Sequence, residues 1–149
     1  VPGIPALCAA AALLGAPLMH DFAVVSLSDL LTPWELIERR LTAAASADFV
    51  VVLYNPRSGR RTDQLPRALE LLRAHKPGAT PTGLVKRAFR PGQEVLATTL
   101  DALDPEAVDM QSIVLVGNAS TRLVGDRLLT PRGYAGKYAL PRGEGPAGS

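Results

Sequence analysis

Two unbroken apolar runs of strand length, Phe49-Val50-Val51-Val52-Leu53 and Ile113-Val114-Leu115-Val116, stand out along the chain. A half-exposed strand alternates polar with apolar residues, so such runs predict strands covered on both faces, as in an α/β domain. The first run ends abruptly in Tyr54-Asn55-Pro56 and the second in Gly117-Asn118. Pro56 lacks a backbone donor and drives Asn55 out of the right-handed helical region, which stops the ladder. Open α/β sheets bind ligands in the crevice outside the carboxyl ends of their strands, and this makes Tyr54 and Asn55 candidates. A polar strand exit with no ligand is the plainer alternative.

The remaining pattern supplies helices and shorter strands. Residues 4–14 read as a small-residue helix, apolar all round and therefore buried, with Pro5 in its first turn and Gly15 as a left-handed stop. Cys8 in this helix reads as a small apolar filler. Residues 16–21 form a connector, with a domain boundary near His20, and residues 22–27 form a strand. Thr32, Pro33 and Glu35 predict an N-cap, a first helical residue and the far side of a capping box. Trp34, Ile37, Leu41 and Ala44 then mark the stripe that packs on a sheet, with Trp34 as a core anchor and Glu38, Arg39 and Arg40 facing water. Leu65, Ala68, Leu69 and Leu72 mark another helix, for which Thr62 is the predicted cap. Strands over 82–85 and 94–98 join through Arg90-Pro91-Gly92 as a hairpin, and Asp104-Pro105 starts a short helical turn. The result is an α/β domain with a mixed sheet flanked by helices; Gly143 to Ser149 read as a frayed tail.

Composition narrows the function classes. The 149 residues, 47% hydrophobic and 20% charged, suit one core of ordinary size, and a net charge of +2 does not make nucleic acid the default partner. The apolar opening, residues 1–19, has no basic leader and is broken by Pro2, Gly3, Pro5, Gly15 and Pro17, so it predicts a packed helix rather than a membrane segment. One cysteine and two histidines, His20 and His75, are too few soft ligands for a structural zinc site and suit a reducing cytoplasm.

Several groups carry candidate chemistry. Arg57, Arg60 and Arg61 follow the Asn55 strand exit, and Lys86, Arg87 and Arg90 lie on the neighbouring hairpin. Arginine pairs bidentately with carboxylates and phosphates, although the same residues also suit a solvated basic face. No Walker-type glycine pattern accompanies them, which argues against a nucleoside triphosphate. Ser28 and Asp29, after the strand that includes Ser26, are candidate catalytic residues, with turn formation as the alternative for Asp29. His20-Asp21 has the composition of a catalytic dyad, but adjacent residues seldom point at each other.

Five separated segments, in order and spacing, resemble the tetrapyrrole methylases: Pro2-Gly3-Ile4-Pro5-Ala6, Gly15-Ala16-Pro17-Leu18, residues 27–34, Leu53-Tyr54-Asn55-Pro56 and Val116-Gly117-Asn118. Residues 28–34, Tyr54-Asn55-Pro56-Arg57-Ser58 and Thr130-Pro131-Arg132-Gly133-Tyr134 resemble the branch that methylates precorrin-3B at ring carbon 17, with ring contraction, in cobalamin biosynthesis. The resemblance implies two α/β domains with S-adenosylmethionine held between them, a precorrin substrate and a homodimer. It places residues 1–20 at the end of the first domain and linker, 21–138 in the second, and 139–149 in a tail. The family's GxGPG loop and acidic Gly-Asp loop have no counterpart here, so the chain is expected to be a piece of a longer protein or to have its partner half supplied separately. Where motifs align, Pro5, Ala6, Tyr54, Asn55 and Ala88 match cofactor-contacting positions, and Arg57, Arg60 and Arg61 gain a role toward the carboxylates of a precorrin. Another corrin-ring methylase and a non-catalytic anion-binding module remain the alternatives.

Overall fold

The two apolar runs become adjacent central strands of a five-stranded sheet in a computed structural model that describes residues 2–133. Strands β2 (Phe22–Ser26), β3 (Val50–Tyr54), β4 (Pro81–Lys86), β5 (Glu94–Thr99) and β6 (Ser112–Val116) lie in the order β2-β3-β6-β4-β5. Within this sheet β2 and β3 pair in parallel, whereas β6 runs antiparallel to both β3 and β4, and β5 antiparallel to β4. The carboxyl ends of β2, β3 and β4 therefore share one edge, and β6 begins there.

Helices cover both faces, which explains why β3 and β6 carry no polar alternation. Helices α2 (Trp34–Ser46) and α3 (Gln64–Arg73) bury Ile37, Leu41, Leu65, Leu69 and Leu72 against Val51, Leu53, Val114 and Val116. Helix α1 (Ala6–Leu14) seats Ala10, Ala11 and Leu14 on the opposite face with Val52, Val85 and Leu115. Gly83 of β4 makes room for this contact: a Cβ there would lie 2.4 Å from one methyl carbon of Leu14 and 2.7 Å from the other. The mixed, helix-flanked α/β sheet is the predicted architecture.

Local details depart from the sequence reading. Helix α1 is buried on one side only, and Cys8 is exposed, because a single sheet face lies beneath it. The capping box does not form: α2 starts at Trp34, and Pro33, extended at ψ 140°, occupies the cap position, leaving Thr32 one residue too early. Asp63 rather than Thr62 precedes α3, without a side-chain cap bond, and Thr62 Oγ1 instead bonds the Asp63 carboxylate. Asp104 does cap its predicted turn, a 3-10 segment at Pro105–Ala107, by accepting from Glu106 N at 2.9 Å. A second sheet, unforeseen in the pattern, joins β1 (Gly15–Ala16), β8 (Arg127–Leu129) and β7 (Arg122–Val124). Gly15, at φ 118°, is required there, since a Cβ would sit 2.9 Å from Leu128 O. The tail proposed for 139–149 and Tyr134 lie outside the described residues.

The edge opposite the strand exits is tied by a buried lysine. Lys76, 4% exposed, donates to Phe49 O at 2.9 Å and to Asp48 at 3.3 Å, and Asp48 also accepts from Ala119 N. Burial lowers the Lys76 pKa below its ordinary value, while Asp48 pulls the other way.

Candidate functional site

Chain reversal at the ends of β3 and β4 builds the first cleft. Asn55 leaves β3 at φ 49°, in the left-handed region rather than extended, a conformation asparagine tolerates better than most residues. Its Nδ2 donates to Ser26 Oγ at 3.0 Å, which links the exits of β2 and β3. Arg87 and Phe89, at φ 48° and 57°, flank Ala88 just past β4. Three of the four non-glycine residues with positive φ among the described residues thus stand at one rim. Strain of this kind concentrates at ligand sites.

A cleft of about 460 Å³ opens between these turns, within the size range of small-molecule sites. Ala6 and Ala9 of α1, Tyr54, Asn55 and Ala88 form one part of its wall, and Arg90 and the segment 110–113 form another. Pro5 is the cap of α1, directly before Ala6 and outside this lining. Tyr54 has a structural duty as well: its hydroxyl accepts from Leu7 N at 2.7 Å and so satisfies a free donor in the first turn of α1. The segment 110–113 is absent from the sequence-based site. It arrives because β6 is antiparallel and starts where β3 and β4 end.

A second cleft of about 450 Å³ adjoins the first and shares Met110 with it. Ser28, Asp29 and Leu30 line one side, and the turn Ser58 to Arg61 lines the other. That turn closes on itself through reciprocal Ser58–Arg61 backbone bonds of 3.1 and 3.2 Å, and Arg61 Nε donates to Ser58 Oγ. Arg61 Nη1 is nonetheless buried without a partner. Gln64 donates to Asp29 Oδ2 at 3.0 Å, while its own Oε1 is also buried and unpaired. An unpaired buried donor and acceptor are costly until a ligand or water meets them.

The basic residues divide by their partners. Arg57 donates to Pro105 O at 3.0 Å and to Glu106 at 2.8 Å; the Glu106 hydrogen bond raises its pKa above the ordinary value. Lys86 pairs with Glu94, and Arg87 with Gln111 and, at 3.9 Å, Asp109. Among the described residues, Arg60, Arg61 and Arg90 have no carboxylate partner. His20 and Asp21 precede β2 and therefore sit at the far edge, where Asp21 N donates to His20 Nδ1 and the carboxylate stands 4.0 Å away.

Residues 1–104 match the family model of the tetrapyrrole (corrin/porphyrin) methylases. The chain belongs to the tetrapyrrole methylase family. It is 55% identical over 134 residues to a probable cobalt-factor III C(17)-methyltransferase of Salmonella typhimurium, covering 90% of this chain and 56% of that protein. It is 46% identical over 140 residues to a precorrin-3B C(17)-methyltransferase of a Sinorhizobium species, covering 91% and 55%. The crystal structure of the methyltransferase CobJ superposes with a TM-score of 0.83 at 45% identity, covering 87% of this chain and 54% of that one. The chain thus spans about half the length of these relatives.

Tetrapyrrole methylases are in general S-adenosylmethionine-dependent. The first cleft fits such a group: Ala6, Ala9 and Ala88 leave the backbone approachable, Asn55 offers polar atoms, and the crevice lies outside the carboxyl ends of β3 and β4. No helix among the described residues is long and apolar enough to cross a membrane.

Proposed function

We propose that this chain is the substrate-facing half of an S-adenosylmethionine-dependent methyltransferase that methylates precorrin-3B, or its cobalt-bearing counterpart, at ring carbon 17 with ring contraction in cobalamin biosynthesis. The observation that carries the reading is the pair of adjoining clefts at one sheet edge, one lined by small residues and Asn55 and the other by Arg60 and Arg61. Two reactants held side by side suffice for methyl transfer, where alignment can lower a barrier by about 7–11 kcal/mol in favourable cases.

Ala6, Tyr54, Asn55 and Ala88 would hold the cofactor, with Pro5 setting the start of α1. When bound, the cofactor supplies a methyl group activated by its sulfonium. The chain's own part is to bind, orient and exclude water. Arg60 and Arg61 receive peripheral carboxylates of the macrocycle, the unpaired Nη1 of Arg61 being free to donate. Arg57 holds the Arg60–Arg61 turn in place through Pro105 and Glu106 and reaches substrate only if that pairing opens. Ser28 and Asp29 line the same cleft, and Asp29, which accepts from Gln64, would take up a proton during ring contraction. The domain division at residues 20 and 138, a homodimeric assembly and a cytoplasmic setting belong to the same proposal.

The test is methyl transfer by the full-length protein, supplied separately with precorrin-3B and with cobalt-factor III. A product one methyl heavier, with the new methyl at carbon 17, is expected. Absence of any methylated tetrapyrrole with fresh substrate refutes the reading; methylation elsewhere on the ring makes this a different corrin methylase. The unpaired Arg61 Nη1 favours one second reading, a non-catalytic anion-binding module, which predicts tetrapyrrole binding that is independent of the cofactor.

A further inference from the structure

Met110 lines both clefts and the small groove beside Arg57, and the residue is 67% exposed. An exposed methionine is ordinary on a loose loop. This loop is not loose. Asp109 Oδ1 accepts from Gln111 N and from Ser112 Oγ, both at 2.8 Å, and Asp109 N donates to Ser112 Oγ at 2.9 Å. Arg87 fixes the next residue, its backbone N donating to Gln111 O at 3.1 Å and its Nε to Gln111 Oε1 at 2.7 Å. Five hydrogen bonds thus hold a turn whose outward side chain is large, apolar and without a polar atom to satisfy.

Across the second cleft stands Leu30, 82% exposed. The arginines of that cleft suit the charged periphery of a tetrapyrrole, but they offer nothing to its flat, conjugated face. Met110 and Leu30 do: a thioether is polarisable and packs well on π systems.

We propose that Met110 is a substrate-contact and position-specificity residue: standing where the two clefts meet, it packs on the face of the macrocycle and sets which ring carbon is presented to the cofactor's methyl. This inference rests on the function proposed above and names a contact which that function does not require.

The experiment compares Met110→Ala and Met110→Leu with the wild type in the full-length enzyme. It reads kcat, the KM for the macrocycle, the Kd for S-adenosylhomocysteine, the position of the new methyl and the melting temperature. Met110→Ala is expected to lower kcat/KM for the macrocycle about tenfold or more, the factor that covering an apolar side chain of this size carries. Product methylated at a second position should accompany the loss, with cofactor affinity changed by less than about threefold and the melting temperature unmoved, since the side chain is exposed in the fold. Met110→Leu, which keeps volume and apolarity, should recover most of the rate. Wild-type kinetics and regiochemistry in Met110→Ala overturn the proposal, as does a fall in melting temperature with unchanged kinetics, which would make Met110 a packing residue. A rate loss in Met110→Leu as deep as in Met110→Ala also overturns it. An inactive wild type would instead refute the proposed function.

Discussion

Replacing Gly83 with alanine tests whether the seating of α1 on β4 sets the geometry of the first cleft. The added Cβ would lie 2.4 and 2.7 Å from the two methyl carbons of Leu14 and 3.1 Å from its Cγ. Carbon atoms pack at about 3.5–4.0 Å, so Leu14 or the helix must yield by about 1 Å. Leu14 is fully buried, so its side chain or the helix that carries it must shift against packed neighbours. Overpacking of this kind costs about 1–3 kcal/mol. Alanine recovers about 0.5–1 kcal/mol of that by restricting the unfolded chain, so the net loss should be about 1–2 kcal/mol. Leu14→Ala alone should cost about 2–5 kcal/mol through its cavity, and the new methyl at position 83 grows into that cavity. The double variant should therefore be no less stable than Leu14→Ala, a favourable coupling of about 1–3 kcal/mol. Urea unfolding of the four chains measures the cycle. Additivity within about 0.5 kcal/mol would refute the contact as drawn. Because Ala6 rides on the same helix, Gly83→Ala should also weaken S-adenosylhomocysteine binding in the full-length protein.

Three further outcomes follow from geometry. Tyr54→Phe removes the acceptor for Leu7 N and should cost about 0.5–1.5 kcal/mol in urea unfolding; no change would mean that water replaces the hydroxyl fully. Asn55→Gly keeps the φ of 49° accessible but deletes the amide, so calorimetry should show cofactor affinity falling about tenfold, and wild-type affinity would exclude an amide contact. Burial lowers the Lys76 pKa below 10.5, so the unfolded chain binds more protons between the folded value and 10.5, and stability should rise with pH across that window. Urea midpoints of the wild type relative to Lys76→Met, taken from about pH 8 upward, should show that rise, and a pH-independent difference would refute it.

Much of the fold was legible because burial writes itself into periodicity. The hairpin around Arg90-Pro91-Gly92 follows from turn chemistry, β5 itself having no buried residue, while the unbroken runs in β3 and β6 and the α2 stripe of Ile37, Leu41 and Ala44 follow from which atoms must leave water. The strand exit at Asn55 was legible for the same reason, and Ala6, Asn55 and Ala88 do meet in one cleft. Caps were less legible: Thr32 and Asp63 turn on a one-residue offset that composition leaves open. The β7–β8 hairpin is faint in the pattern although Gly125-Asp126 is a two-residue turn signal, since its flanking runs are short and partly charged. Met110 to Ser112 carry no local mark of a site. They reach it only through the direction of β6, a tertiary choice that no window of sequence contains.

The position of β6 also has a consequence for the order in which the molecule is made. It lies between β3 and β4 but is synthesised after both, and Val51 waits for Val116 as its cross-strand neighbour. Until residues 112–116 emerge, β2-β3 and β4-β5 are two separate ribbons, each with an open, apolar strand edge of the kind that recruits other chains. The last central strand is therefore a clasp: its arrival at once joins the ribbons, removes two aggregation-prone edges and brings together the walls of the site. A chain cut short before β6 would hold every helix and four of the five strands of this sheet and still have no way to close it.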